Sequence, residues 1–115
     1  MRNITIGAAQ MGGIQKAETR SDVVARMMAL LEQAVGKGCD LVVFPELCLT
    51  TFFPRWYYED QAEIDRWYET DMPGPETQPL FDLARAHGVA MSLGYAERTA
   101  EGRHFNTQIM TDRQG

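Results

Sequence analysis

The stretch Cys39-Asp40-Leu41-Val42-Val43-Phe44-Pro45-Glu46-Leu47 decides the fold. The turn signal Lys37-Gly38 precedes it. Four consecutive apolar residues, Leu41 to Phe44, are mostly β-favouring and read as a strand buried on both faces. Pro45 ends that strand, because proline offers no N–H to a ladder and sets its own φ. Glu46 is thereby held at the carboxyl end of a buried strand, where open α/β sheets bind their ligands. With Phe44 and Leu47 on either side, its carboxylate is expected to be partly desolvated, an environment that suits general-base work. A structural reading of the same residue stays open: Glu46 caps the following segment or pairs with an arginine.

Working upstream, Ile4 to Gln10 is a first strand of small and β-branched residues, and Met11-Gly12-Gly13 ends it in a tight loop. That loop has neither a glycine-lysine-hydroxyl run nor a three-glycine fingerprint, so it is not a phosphate cradle. A helix is expected from about Ser21, with Ser21 as N-cap and Asp22 in the first turn. Its apolar stripe is Val24, Met27, Met28, Leu31, Ala34 and Val35, and Gly36 and Gly38 stop it. The methionines are core filler in this pattern. Strand, helix and strand together predict a βαβ unit with parallel strands.

Downstream, Cys48 to Tyr58 packs aromatic residues around Pro54 with no helical or alternating period. This loop is either the wall of a pocket, with Phe53, Arg55 and Trp56 as its candidates, or a loop folded on its own small cluster. Arg55 either meets a substrate carboxylate bidentately or pairs locally with Glu59 or Asp60. Asp60 to Glu69 is expected as a short acidic helix with Ile64, Trp67 and Tyr68 on one side, broken by Met72-Pro73-Gly74-Pro75. A second helix is predicted from about Glu76 to His87, with Gly88 as its stop and His87 favouring the helix dipole. Val89 to Tyr95 then forms a third strand, and Phe105 to Thr111 returns antiparallel as a fourth.

The 115 residues carry 44% apolar and 23% charged side chains and a net charge of −5, an ordinary globular composition for a single domain. The negative charge, with no basic cluster, argues against nucleic acid or an anionic membrane as partner. No run of about 18 apolar residues exists to span a bilayer, and no secretory h-region follows Met1. Two cysteines make no disulfide framework, which points to a reducing cytoplasm. His87, His104, Cys39 and Cys48 have no metal-ligand spacing, so no metal or other cofactor is expected. Cys48 is two residues from Glu46, yet a neighbouring carboxylate disfavours a thiolate, so it is a poor nucleophile.

Val42-Val43-Phe44-Pro45-Glu46-Leu47, together with Ile6-Gly7-Ala8-Ala9-Gln10, resembles the start of the nitrilase (carbon–nitrogen hydrolase) superfamily. Four further stretches resemble the N-carbamoyl-D-amino-acid hydrolases within it: Leu49 to Trp56, Tyr68 to Pro75, Leu93 to Glu97, and Phe105-Asn106-Thr107. The resemblance covers essentially all of the chain, but only the N-terminal portion of the family's domain. It implies an α/β fold, one part of an αββα sandwich, and a Glu–Lys–Cys triad in which Glu46 is the general base. It also implies a homo-oligomer acting on a small molecule, an N-carbamoyl amino acid, which is cleaved to a D-amino acid, ammonia and carbon dioxide.

The family's lysine and nucleophilic cysteine fall beyond Gly115. Lys16 and Lys37 stand in the wrong context for the lysine, and Cys39 and Cys48 do not match the nucleophile. Residues 1–115 are therefore expected to be an incomplete domain that does not turn over alone. Two alternatives stand beside this expectation. One is a related amidase or ureido-hydrolase of the superfamily, and the other is an inactive truncated chain that only associates with other subunits. Four strands from one half of a sandwich would leave a sheet face and a strand edge uncovered.

Overall fold

A computed structural model describes all residues from Met1 to Gly115. The central stretch forms strand β2, Leu41–Val43, between β1, Ile6–Ala8, and β3, Ala90–Arg98, and parallel to both. Strand β4, His104–Thr111, closes the sheet antiparallel to β3, giving the order β1-β2-β3-β4. The mixed α/β sheet predicted from the sequence is present, and each strand sits beside its neighbour in the chain.

Helix α1, Arg20–Gly36, connects β1 to β2. Its N-cap is Thr19 rather than Ser21. The Thr19 hydroxyl accepts from Asp22 N–H while the Asp22 carboxylate accepts from Thr19 N–H, a capping box built on aspartate. Val23, Val24, Met27 and Leu31 of α1 are buried, so the inner stripe starts one residue earlier than predicted and Met28, Ala34 and Val35 lie at its half-buried margin. Each such aliphatic side chain contributes roughly 1.5–3 kcal/mol on burial. Helix α3, Gln78–His87, packs beside α1 with Leu80, Phe81 and Ala84 inward. Gly88 ends it at φ +62°, a left-handed cap that lets Val89 N–H reach the Ala84 carbonyl and sends the chain into β3. The two helices cover one face of the sheet, and Val42, Phe44, Met91, Leu93 and Tyr95 complete that core.

A second, smaller cluster joins Phe53, Trp67 and Ala96. It holds the short helix α2, Gln61–Asp65, and the segment after it; the expected helix to Glu69 stops at Asp65, where the chain turns to bury Trp67. Arg20 at the start of α1 is paired with the Glu69 carboxylate and donates to the Arg66 carbonyl, tying the two clusters together. Ile4, Ile6, Phe105 and Met110, on or beside the edge strands β1 and β4, remain exposed. No helix is long and apolar enough to cross a membrane.

Candidate active site

Glu46 is placed by a bulge. Phe44 N–H still bonds the Ser92 carbonyl, continuing the β2–β3 ladder. Pro45 then accepts from Gly94 N–H at 3.3 Å, and Cys48 N–H returns to the Gly94 carbonyl at 2.9 Å. Glu46 and Leu47 are the two residues left over between those bonds, so they are pushed out of the ladder. Leu47 adopts φ +47°, a left-handed conformation that costs a non-glycine residue roughly 1–2 kcal/mol. The whole turn rests on Gly94, where any Cβ would stand 2.9 Å from Glu46 Cα and 3.1 Å from the Pro45 carbonyl oxygen.

Within residues 1–115 the Glu46 side chain is exposed, where the sequence led us to expect partial desolvation. Phe44 is buried in the main core and Leu47 packs partly against the Phe53–Trp67 cluster, and Glu46 between them stays exposed. Nor does Glu46 pair with an arginine. Its partner is Asn106 on β4, whose Nδ2 donates to Oε1 at 2.5 Å. The carboxylate opens on a groove of about 150 Å³ lined by Met11 and Gly12 after β1, by the Pro45–Cys48 turn, and by Thr50 and Phe52. A larger hollow of about 370 Å³ lies between the β1 edge and α1, lined mostly by apolar side chains and without a carboxylate.

The three aromatic-loop candidates do not line this groove. Phe53 is buried, stacked on Trp67 with ring centroids 6.3 Å apart and tilted against Tyr68 at 5.4 Å. Arg55 lies over the neighbouring Trp56 ring at 4.7 Å rather than pairing with Glu59 or Asp60. Phe52, which the sequence did not single out, faces the groove and is 56% exposed. The loop folds on its own cluster through Phe53 and offers an aromatic edge to the glutamate through Phe52.

Cys48 is buried two residues beyond Glu46, and burial pushes its thiol up to about 12. Essentially no thiolate exists there near neutral pH, in keeping with its dismissal as a nucleophile. No three His, Cys, Asp or Glu side chains converge as a metal site. What the arrangement offers is one solvent-facing carboxylate, oriented by a neutral amide at the carboxyl end of a parallel strand.

Residues 5–115 match the family described as "Carbon-nitrogen hydrolase". The chain belongs to the carbon–nitrogen hydrolase family. A nitrilase of Paraburkholderia phymatum is 35% identical over 100 residues, covering 78% of this chain and 28% of that protein. An omega-amidase of Mus musculus is 27% identical over 82% of this chain and 31% of its own length. Among solved structures, Saccharomyces cerevisiae Nit3, a member of the nitrilase superfamily, superposes with a TM-score of 0.76 at 19% identity, over 97% of this chain and 41% of Nit3. The sheet and its two helices are thus the N-terminal portion of the nitrilase fold. The chain spans less than a third of the length of either curated relative.

Proposed function

We propose that this carbon–nitrogen hydrolase chain is the base-bearing part of an N-carbamoyl-D-amino-acid hydrolase, with Glu46 as general base. One observation carries the reading. The Phe44-Pro45-Glu46 stretch ends a parallel strand in a bulge that projects a carboxylate, free of any ion pair, into a groove with an aromatic rim. The substrate class is supported by the resemblance of the Leu49–Trp56, Tyr68–Pro75, Leu93–Glu97 and Phe105–Thr107 stretches to the carbamoyl hydrolases.

In this proposal a cysteine and a lysine beyond Gly115 complete the triad. Glu46 accepts the thiol proton, and the thiolate attacks the carbamoyl carbon while the lysine stabilises the oxyanion. The protonated Glu46 gives its proton to the departing nitrogen, releasing ammonia. It then deprotonates a water that cleaves the acyl-enzyme, and the carbamate formed breaks down to carbon dioxide and the D-amino acid. Phe53 anchors the aromatic loop in this scheme, while Arg55 and Trp56 form its outer wall. The assembly is proposed to be a homo-oligomer in a reducing cytoplasm, with the exposed Ile6 and Met110 covered in the complete protein.

The similarity to a nitrilase and an omega-amidase favours a second reading, a nitrile or a side-chain amide in the same groove. Ammonia release by the full-length polypeptide separates the two. N-carbamoyl-D-phenylalanine, its L-enantiomer, phenylacetonitrile and succinamate are supplied in parallel. A kcat/KM for the D-carbamoyl compound at least about tenfold above the rest, a discrimination of about 1.4 kcal/mol, supports the first reading. Preference for the nitrile or the amide overturns it in favour of the second.

A further inference from the structure

We propose that Asn106 is a positioning residue for Glu46: its side-chain amide selects the rotamer of the carboxylate and leaves one oxygen free to take a proton. The proposal rests on Glu46 acting as the base.

The geometry has three parts. Asn106 donates Nδ2–H to Glu46 Oε1 at 2.5 Å across 60 residues of sequence, so the contact is tertiary and not a by-product of local chain direction. Asn106 itself is fixed in height. It stands opposite Ala96 in an antiparallel ladder of eight residue pairs, from Met91–Thr111 to Arg98–His104, and Ala96 is buried under Phe53 and Trp67. Glu46, by contrast, sits in a bulge with an exposed side chain, and no ion pair restrains it. A free glutamate side chain spreads over many rotamers, and confining it costs side-chain entropy. One hydrogen bond from a rigid strand supplies that confinement before substrate arrives.

The chemistry of the donor fits the task. An amide N–H is neutral and does not ionise, so it can hold the same oxygen in the carboxylate and in the carboxylic acid. A lysine or arginine there would favour the ionised form and weaken the base. Because Asn106 takes only Oε1, Oε2 is left as a free acceptor for a proton. The next polar residue on that side of β4, Gln108, is engaged elsewhere, donating Nε2–H to Ser92 Oγ at 2.7 Å. Within residues 1–115 Asn106 is the side chain that hydrogen-bonds the Glu46 carboxylate.

The test uses the full-length enzyme with whichever substrate it turns over, and compares Asn106→Ala, Asn106→Asp and Glu46→Gln. A hydrogen bond to a charged group is worth enough that Asn106→Ala should lower kcat by about 10- to 100-fold, with KM changed by less than about threefold. Asn106→Asp keeps the shape but sets a second carboxylate against Glu46, and it should be worse than alanine. In the Glu46→Gln background, Asn106→Ala should cause no further loss, since there is no base left to orient. A purely structural asparagine predicts the reverse order, with the isosteric aspartate milder than alanine and the losses adding in the double variant. That result, or kcat within twofold of wild type for Asn106→Ala while Glu46→Gln is inactive, overturns the proposal alone. An active Glu46→Gln overturns the general-base reading with it. Asn106 is exposed, and Asn106→Asp preserves volume, so a folded variant is available for the comparison.

Discussion

Gly94→Ala tests whether the seat of Glu46 is as tight as the backbone indicates. The added methyl would stand 2.7 Å from Gln108 Oε1, 2.9 Å from Glu46 Cα and 3.1 Å from the Pro45 carbonyl oxygen. The Gln108 tip can swing away, giving up its 2.7 Å bond to Ser92. The other two neighbours are main chain and must move with the bulge. Carbon atoms rest about 3.5–4.0 Å apart, so Glu46 Cα has to retreat by about 0.6–1 Å. Overpacking of this kind costs about 1–3 kcal/mol. Loss of glycine's freedom in the unfolded chain returns about 0.4–1 kcal/mol. The net destabilisation is then up to about 2.6 kcal/mol and centred on about 1 kcal/mol, read as a lower urea midpoint at constant slope. Turnover should suffer more, because displacing a catalytic group by about 1 Å can cost on the order of 100-fold. The assay is kcat for ammonia release by the full-length protein, with Gly13→Ala as control, since nothing lies within 4 Å of a Cβ there. A Gly94→Ala enzyme with kcat within twofold of wild type would falsify the argument that this glycine seats the base.

Other expectations concern groups away from the carboxylate. In the native protein Cys48 should resist thiol reagents at pH 8, because its thiol titrates at about 12; rapid labelling of Cys48 without unfolding would contradict this. The thiol is held protonated in the fold while an unfolded cysteine ionises near 9, so the native state binds the extra proton and stability falls as pH rises from about 9 to 12. Burial and Glu97 also push Tyr95 up to about 12, so the Cys48 share is read as the difference between wild type and Cys48→Ala in urea titrations across that window. Arg20→Ala should destabilise by about 2–3 kcal/mol, because it leaves Glu69 with a side chain only 14% exposed and no partner. The double variant Arg20→Met with Glu69→Leu should recover most of that loss by thermal or urea unfolding, and failure to recover would mean that the Arg20 bond to the Arg66 carbonyl matters more than the ion pair.

The sequence made the succession of strands and helices and the position of Glu46 legible because both are local. Four apolar residues followed by proline stop a strand in one place, and the helix before it has a clear period. Local signals still slipped where two residues of similar chemistry compete. Ser21 and Thr19 are both good N-caps, and the aspartate at position 22 completes the box only with Thr19. In the aromatic loop, adjacent Phe52 and Phe53 fall on opposite sides of the chain, and no periodicity says which one turns inward. The burial of Phe53 is decided by Trp67 and Ala96, which come from later elements. The exposure of Glu46 was missed for a related reason, since its apolar neighbours Phe44 and Leu47 are committed to two different clusters.

Gly94 and Asn106 were beyond reading as site residues. Each acts through register: Gly94 is aligned with the bulge by the β2–β3 ladder, and Asn106 by the β3–β4 ladder. A single glycine in a strand does signal a close backbone approach, but it does not say whose backbone.

The central claim is that Glu46 is the base, and Glu46→Gln in the full-length protein tests it most directly. Glutamine keeps the shape and can still meet Asn106, but it cannot accept a proton. The account predicts a drop in ammonia release of about 100- to 10,000-fold with unchanged unfolding behaviour. A Glu46→Gln enzyme that releases ammonia at close to the wild-type rate would contradict it.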